Sequence, residues 1–143
     1  MTRPLLKMAA TAYRSTGHRD VLPVALGMWA EAERRCSAPA SAITVASEAA
    51  DLLEQGAPSL LNESAVYLAL HDALLDAGEE EAARRAVARG MAPLLRRLHG
   101  LVGTTYARQF LTELPQNAAL LAAAEGYGVT PDEIHRLFER GAT

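Results

Sequence analysis

The side chains best able to do chemistry in this chain are four histidines, one cysteine and a cluster of arginines. A metal centre needs three or four ligands with supporting groups behind them. His18, His71, His99 and His135 show no HExxH or paired-histidine spacing, and only His135 and Glu139 share a helix face at i, i+4. Two ligands on one turn are too few, so the histidines are expected as solvated or capping groups and no metal ligand is assigned. Cys36 follows Arg34 and Arg35, a setting known for reactive thiols, but no base stands at a recognisable spacing. It is expected to be a buried or inert thiol, and as the sole cysteine it excludes an internal disulfide. Gly100-x-x-Gly103 and Gly126-x-Gly128 follow no strand and match no phosphate-cradling loop, so they are expected as linkers. No catalytic residue and no cofactor are assigned, and the chain is not expected to be an enzyme.

Arg84, Arg85, Arg89, Arg96 and Arg97 form the one basic cluster. At helical spacing Arg85, Arg89 and Arg96 project to a similar side, which could meet an acidic peptide or a phosphate backbone. Glu79, Glu80 and Glu81 and the helix dipole balance that charge, so a solvated face is the expected reading. A net charge of −3 argues against a chain that holds nucleic acid by its phosphates. Trp29, Tyr13 and Tyr67 recur at helical spacing among leucines and are expected in the core.

The elements that must position these groups are helical. In 143 residues, half apolar and 5% aromatic, strong helix formers dominate and no period-2 alternation is sustained. Eight helices are expected, over 3–16, 20–37, 41–55, 62–77, 79–98, 104–113, 117–125 and 131–140. Asp20, Ser41, Asn62 and Asn117 are the expected caps, Gly78 a left-handed stop, and Pro93 a kink or a division of the fifth helix. Thr130-Pro131-Asp132-Glu133 reads as a capping threonine, an N1 proline and a capping-box glutamate. No stretch reaches the ~20 apolar residues of a membrane span, and the first residues are too broken for a signal peptide, so a cytoplasmic setting is expected. Thirteen arginines against one lysine (Lys7), with abundant alanine, suggest a GC-rich bacterial source.

Tyr67, Leu70, Leu74, Gly78, Ala83, Val87 and Gly90 stand at the offsets of a tetratricopeptide repeat, whose period is ~34 residues. Gly78 would make the turn, while Ala83 and Gly90 would let the second helix lie close; His71 departs, because a small residue is usual there. A weaker copy comprises Leu6, Ala9, Ala10, Tyr13, Gly17, Leu22 and Leu26, and Ala49, Leu53 and Gly56 make a fragment one period ahead of Ala83, Val87 and Gly90. The chain therefore resembles a divergent tetratricopeptide array. Phe110, Leu111, Leu114, Pro115, Asn117, Leu120 and Leu121 resemble the block that closes such arrays in bacterial signalling ATPases and cyclase-associated proteins. No nucleotide-binding loop is present, so the resemblance implies their scaffold and not their catalysis.

The expected fold is all-α: a stack of antiparallel helical hairpins forming a superhelix over 1–129, capped by 104–126, with a terminal amphipathic helix over 130–143. The resemblance implies a non-enzymatic protein-interaction module of a bacterial signalling or regulatory system, taking a peptide or partner helix on its concave face. Leu68, Asp72, Leu75 and Asp76 are the expected lining, the two acids favouring a basic partner, and Arg85 and Arg89 are further candidates. An exposed end hairpin could pair with a second copy. The alternative is a DNA-binding regulator: Ala124, Gly128, Ile134 and Leu137 match helix-turn-helix spacing within 120–140. Asp132 and Glu133 at the start of the would-be recognition helix count against it.

Overall fold

A computed structural model describes residues 3–17, 22–56 and 63–141; His18, Asp20 and Asn62 lie outside the described residues, as does the side chain of Arg140. The described residues form α1 (Arg3–Thr16), α2 (Leu22–Arg35), α3 (Pro39–Glu54), α4 (Ser64–Asp76), α5 (Glu80–His99), α6 (Tyr106–Thr112), α7 (Pro115–Tyr127) and α8 (Asp132–Gly141), with no strand among them.

The helices pack by neighbourhood. α1 lies on α2, α2 on α3, and α3 on α4, while α4 packs on α5 and also on α2. α7 sits against both α4 and α5, with α6 beside it. Direction follows from specific pairs. Gly27 of α2 faces Val66 of α4, and about two to three turns further on Arg34 reaches Asp76. Ser64 of α4 bonds Asn117 of α7, and later His71 bonds Tyr127. Hence α2, α4 and α7 run parallel, side by side. α5 returns antiparallel to α4, because Tyr67 and Gly90 meet across the turn at Gly78.

That turn is as expected. Gly78 is left-handed (φ 78°), Glu79 N–H donates to the Leu74 carbonyl at 2.9 Å, and Gly78 N–H donates to Leu75 at 3.0 Å. This pattern satisfies carbonyls that the end of α4 would leave bare. The core runs the length of the stack, from Ala10 through Leu26, Ala46, Tyr67 and Val87 to Leu120 and Ile134. Its many alanines, including Ala42, Ala46, Ala49, Ala50, Ala73 and Ala83, are fully buried and bring helix axes close. Tyr13 and Trp29 are partly buried against this core.

Several local expectations are corrected. α3 opens with Pro39 in its first turn behind Ala38, not at Ser41. Pro93 does not divide α5, which runs through it as one helix with the proline buried. Asn117 does not cap α7, which begins at Pro115. It is buried, and its amide serves long-range bonds: Oδ1 accepts from Ser64 at 2.7 Å, and Nδ2 donates to the Phe110 carbonyl at 2.9 Å. The capping box at the start of α8 is not formed. Glu133 pairs with His99 at 2.6 Å, and the Pro131 carbonyl takes the Ile134 and His135 amides.

Candidate functional site

α4 occupies the middle of the parallel row, so its free stripe is the centre of whatever that row can hold. Leu68 on this stripe is half-buried against the core. Asp72 is partly exposed, its Oδ1 2.9 Å from His71 Nδ1. Leu75 is 42% exposed, unusual for a large apolar side chain in the centre of a packed row. Asp76 is exposed, with Oδ2 3.4 Å from Arg34 Nη1. These four expected lining residues therefore share one stripe.

Beside them α2 contributes exposed Met28 and a charged group around Glu31. Glu31 accepts from Arg34 at 2.7 Å and from Arg35 at 3.2 Å, and Arg34 holds the Glu31 carboxyl below the usual range. Arg34 is thus shared between Glu31 and Asp76, which raises its affinity for its proton. On α7 the exposed positions Ala119, Ala122 and Gly126 are small.

Arg85 and Arg89 are not brought to this stripe. Arg89 crosses to α3, where it bonds Asp51 at 3.2 Å and Glu54, while Arg85 lies 3.8 Å from Glu81 on its own helix. Arg84 also bonds Glu81, and Arg96 and Arg97 both approach Glu63. The basic cluster is thus balanced partly from α3 and from Glu63, and not by Glu79–Glu81 alone.

Arg14 with Glu48 ties α1 to α3, Arg97 with Glu63 ties α5 to the start of α4, and His99 with Glu133 ties α5 to α8.

Two expectations about single residues are corrected. His71 is not solvated; it is buried, with its Nε2 2.9 Å from the Tyr127 hydroxyl and the two rings edge-to-face at 5.6 Å. It joins α4 to α7 where a small residue was the usual occupant, and nothing in the sequence marks Tyr127 as its partner. Cys36 is exposed, not buried, with the Arg3 guanidinium near it.

In the tail, Gly128 is left-handed (φ 69°) between α7 and α8, Ile134 is fully buried, and Leu137 and Phe138 are half-buried. The exposed side of α8 carries Asp132, Glu133, His135, Arg136 and Glu139, and His135 is engaged by Glu125 at 2.8 Å.

Among the described residues no three His, Cys, Asp or Glu side chains cluster as a metal site. No described helix is long and apolar enough to cross a membrane. A scan against protein-family models finds none that matches, and searches of curated proteins and of solved structures find no match.

Proposed function

We propose that the chain is a non-catalytic protein-binding module, a divergent tetratricopeptide-type array whose parallel row α2–α4–α7 holds a peptide or partner helix. The observation that carries this reading is the row itself. Three helices, α2, α4 and α7, lie side by side in one direction, α5 returns antiparallel to α4, and the free stripe of α4 presents Leu75, Asp72 and Asp76. The close approach of α4 and α5 supports it: Gly90 lies against Tyr67 across the left-handed turn at Gly78. So does the burial of Tyr67, Leu70, Ala83, Val87 and Gly90 at the repeat's packing positions. In this count α1 stands where a second helix stands, since Arg14 reaches α3 as Arg89 does from α5.

An apolar anchor flanked by carboxylates suits a segment with a large apolar residue between basic ones. The resemblance of 110–121 to closing blocks of bacterial signalling proteins supports a regulatory role of that kind. Panning a displayed random-peptide library against the protein tests the reading. Recovered peptides should share an apolar residue flanked by Lys or Arg. Asp72→Asn with Asp76→Asn should weaken them at least about tenfold, whereas Arg85→Glu should not. Failure to enrich any sequence, or binding indifferent to Leu75→Ala and the two Asn changes, overturns it.

A further inference from the structure

His71 is buried between a group that can only accept a hydrogen bond and one that can also donate. Its Nδ1 is 2.9 Å from Asp72 Oδ1, and its Nε2 is 2.9 Å from the Tyr127 hydroxyl. An ionised carboxylate has no proton to give, so Nδ1 carries the ring proton and donates to Asp72. In the neutral ring Nε2 is then an acceptor, and the Tyr127 O–H donates to it. Protonation strands neither nitrogen, because Nε2–H donates to the Tyr127 oxygen while the hydroxyl hydrogen turns away. The joint between α4 and α7 therefore survives a change of charge at His71.

That charge arises beneath the free stripe of α4. Imidazole is the side chain whose ordinary charge change falls between about pH 5 and 8. Asp72 belongs to a group of three carboxylates, with Asp76 on α4 and Glu31 on α2. Two guanidiniums answer them: Arg34 pairs with Glu31 and Asp76 and also feels Asp72, and Arg35 pairs with Glu31. Three anions against two cations leave one net negative charge while His71 is neutral and none once it is protonated. From α7 the group facing His71 is the Tyr127 hydroxyl. Glu54 of α3 and Arg89 and Arg96 of α5 act on α4 at Tyr67, about one turn away. Because the ring is buried, salt and water screen its charge from Asp72 poorly.

We propose, on the reading of α2–α4–α7 as a row that binds a basic segment, that His71 makes this binding depend on protonation. Neutral, it leaves the Asp72 charge to the partner; protonated, it becomes the counter-charge of Asp72 itself. His71 is thus a positioning residue, which acts through Asp72 and does not touch the partner. The sign follows from linkage. A partner cation at Asp72 disfavours protonation of His71, so binding releases protons and weakens as pH falls.

In the free protein at about pH 8, ring-nitrogen NMR shifts should report the Nδ1–H tautomer of His71. Calorimetry with a synthetic peptide, a leucine flanked on each side by arginines, should show an affinity at least about threefold weaker at about pH 5.5 than at about pH 8. His71→Gln should remove that pH dependence. Asp72→Asn should bind weakly and equally at both pH values, and His135→Gln, on α8, should keep the wild-type profile. Failure of the peptide to bind at the higher pH overturns the reading of the row and this proposal with it. An Nε2–H tautomer, a wild-type affinity unchanged by pH, or a pH dependence that survives in His71→Gln overturns the proposal alone.

Discussion

Gly90 of α5 lies so close to Tyr67 of α4 that a methyl group on Gly90 would stand 3.0 Å from both Cβ and Cγ of the tyrosine and 3.1 Å from Leu120. The two helices and α7 meet at this point, and Tyr67 is buried deeply enough to push its hydroxyl pKa up to about 12. Gly27 sits in the equivalent setting between α2 and α4, but a methyl there would meet Val66 at an ordinary 3.5 Å.

The two glycines should therefore respond oppositely to alanine. Gly90→Ala should destabilise by about 1–2 kcal/mol, the overpacking exceeding the helix-propensity gain. Gly27→Ala should be neutral or stabilise by up to about 1 kcal/mol. Urea unfolding of both variants decides it, and equal effects would contradict the geometry.

Ser64 and Asn117 tie the start of α4 to α7, and Asn117 extends the tie to Phe110 at the end of α6. Ser64→Ala takes the donor from the buried Asn117 Oδ1, and Asn117→Ala takes the side-chain donor from the Phe110 carbonyl. Asn117→Ala should cost about 2–3 kcal/mol and Ser64→Ala about 1 kcal/mol. The double variant should cost less than the sum, because the two side chains share one bond. A denaturant double-mutant cycle measures the coupling.

Ser37 has φ 59° at the end of α2, with Ser37 N–H donating to Arg34 and Ala38 N–H to Glu33, both at 3.0 Å. The backbone makes the same stop as at Gly78 but without a glycine. Ser37→Gly should stabilise by about 0.5–1 kcal/mol by relieving the left-handed strain, read as a higher melting temperature. Ser37→Val should lower it.

Glu33 is buried and accepts from Arg3 and, at 2.9 Å, from the indole of Trp29, the chain's single tryptophan. Arg3 is the main reason its carboxyl lies below the usual range, with Trp29 adding to it. A lowered native pKa contributes stability that is present above the unfolded value, near 4.3, and is lost as pH falls through the native one. Trp29 emission should therefore shift in that acid window as α1 loosens from α2. Glu33→Gln should abolish the shift and cost about 1 kcal/mol at neutral pH.

What the sequence disclosed tracks how local each cause is. Gly78 announced its turn because a left-handed stop needs glycine and little else, and the small residues at Ala83 and Gly90 announced a close approach. The stop at Ser37 was hidden because a serine occupies a glycine's conformation, so the start of α3 was misplaced at Ser41. Asn117 read as a cap because its type and its place before a leucine run fit one; its partners lie 53 residues back at Ser64 and seven back at Phe110. His71 and Tyr127, 56 residues apart, left no trace, and neither did the assignment of Arg89 to α3. On the free stripe, Leu68, Asp72, Leu75 and Asp76 were legible as a set because four residues of one helix keep their mutual phase whatever surrounds them.

Arg34 is divided between Glu31 on its own helix and Asp76 on α4. A cation arriving at Asp76 therefore finds the carboxylate already occupied and must displace the guanidinium to take its place. Arg34 then keeps Glu31 as its counter-charge, so the exchange leaves neither group stranded.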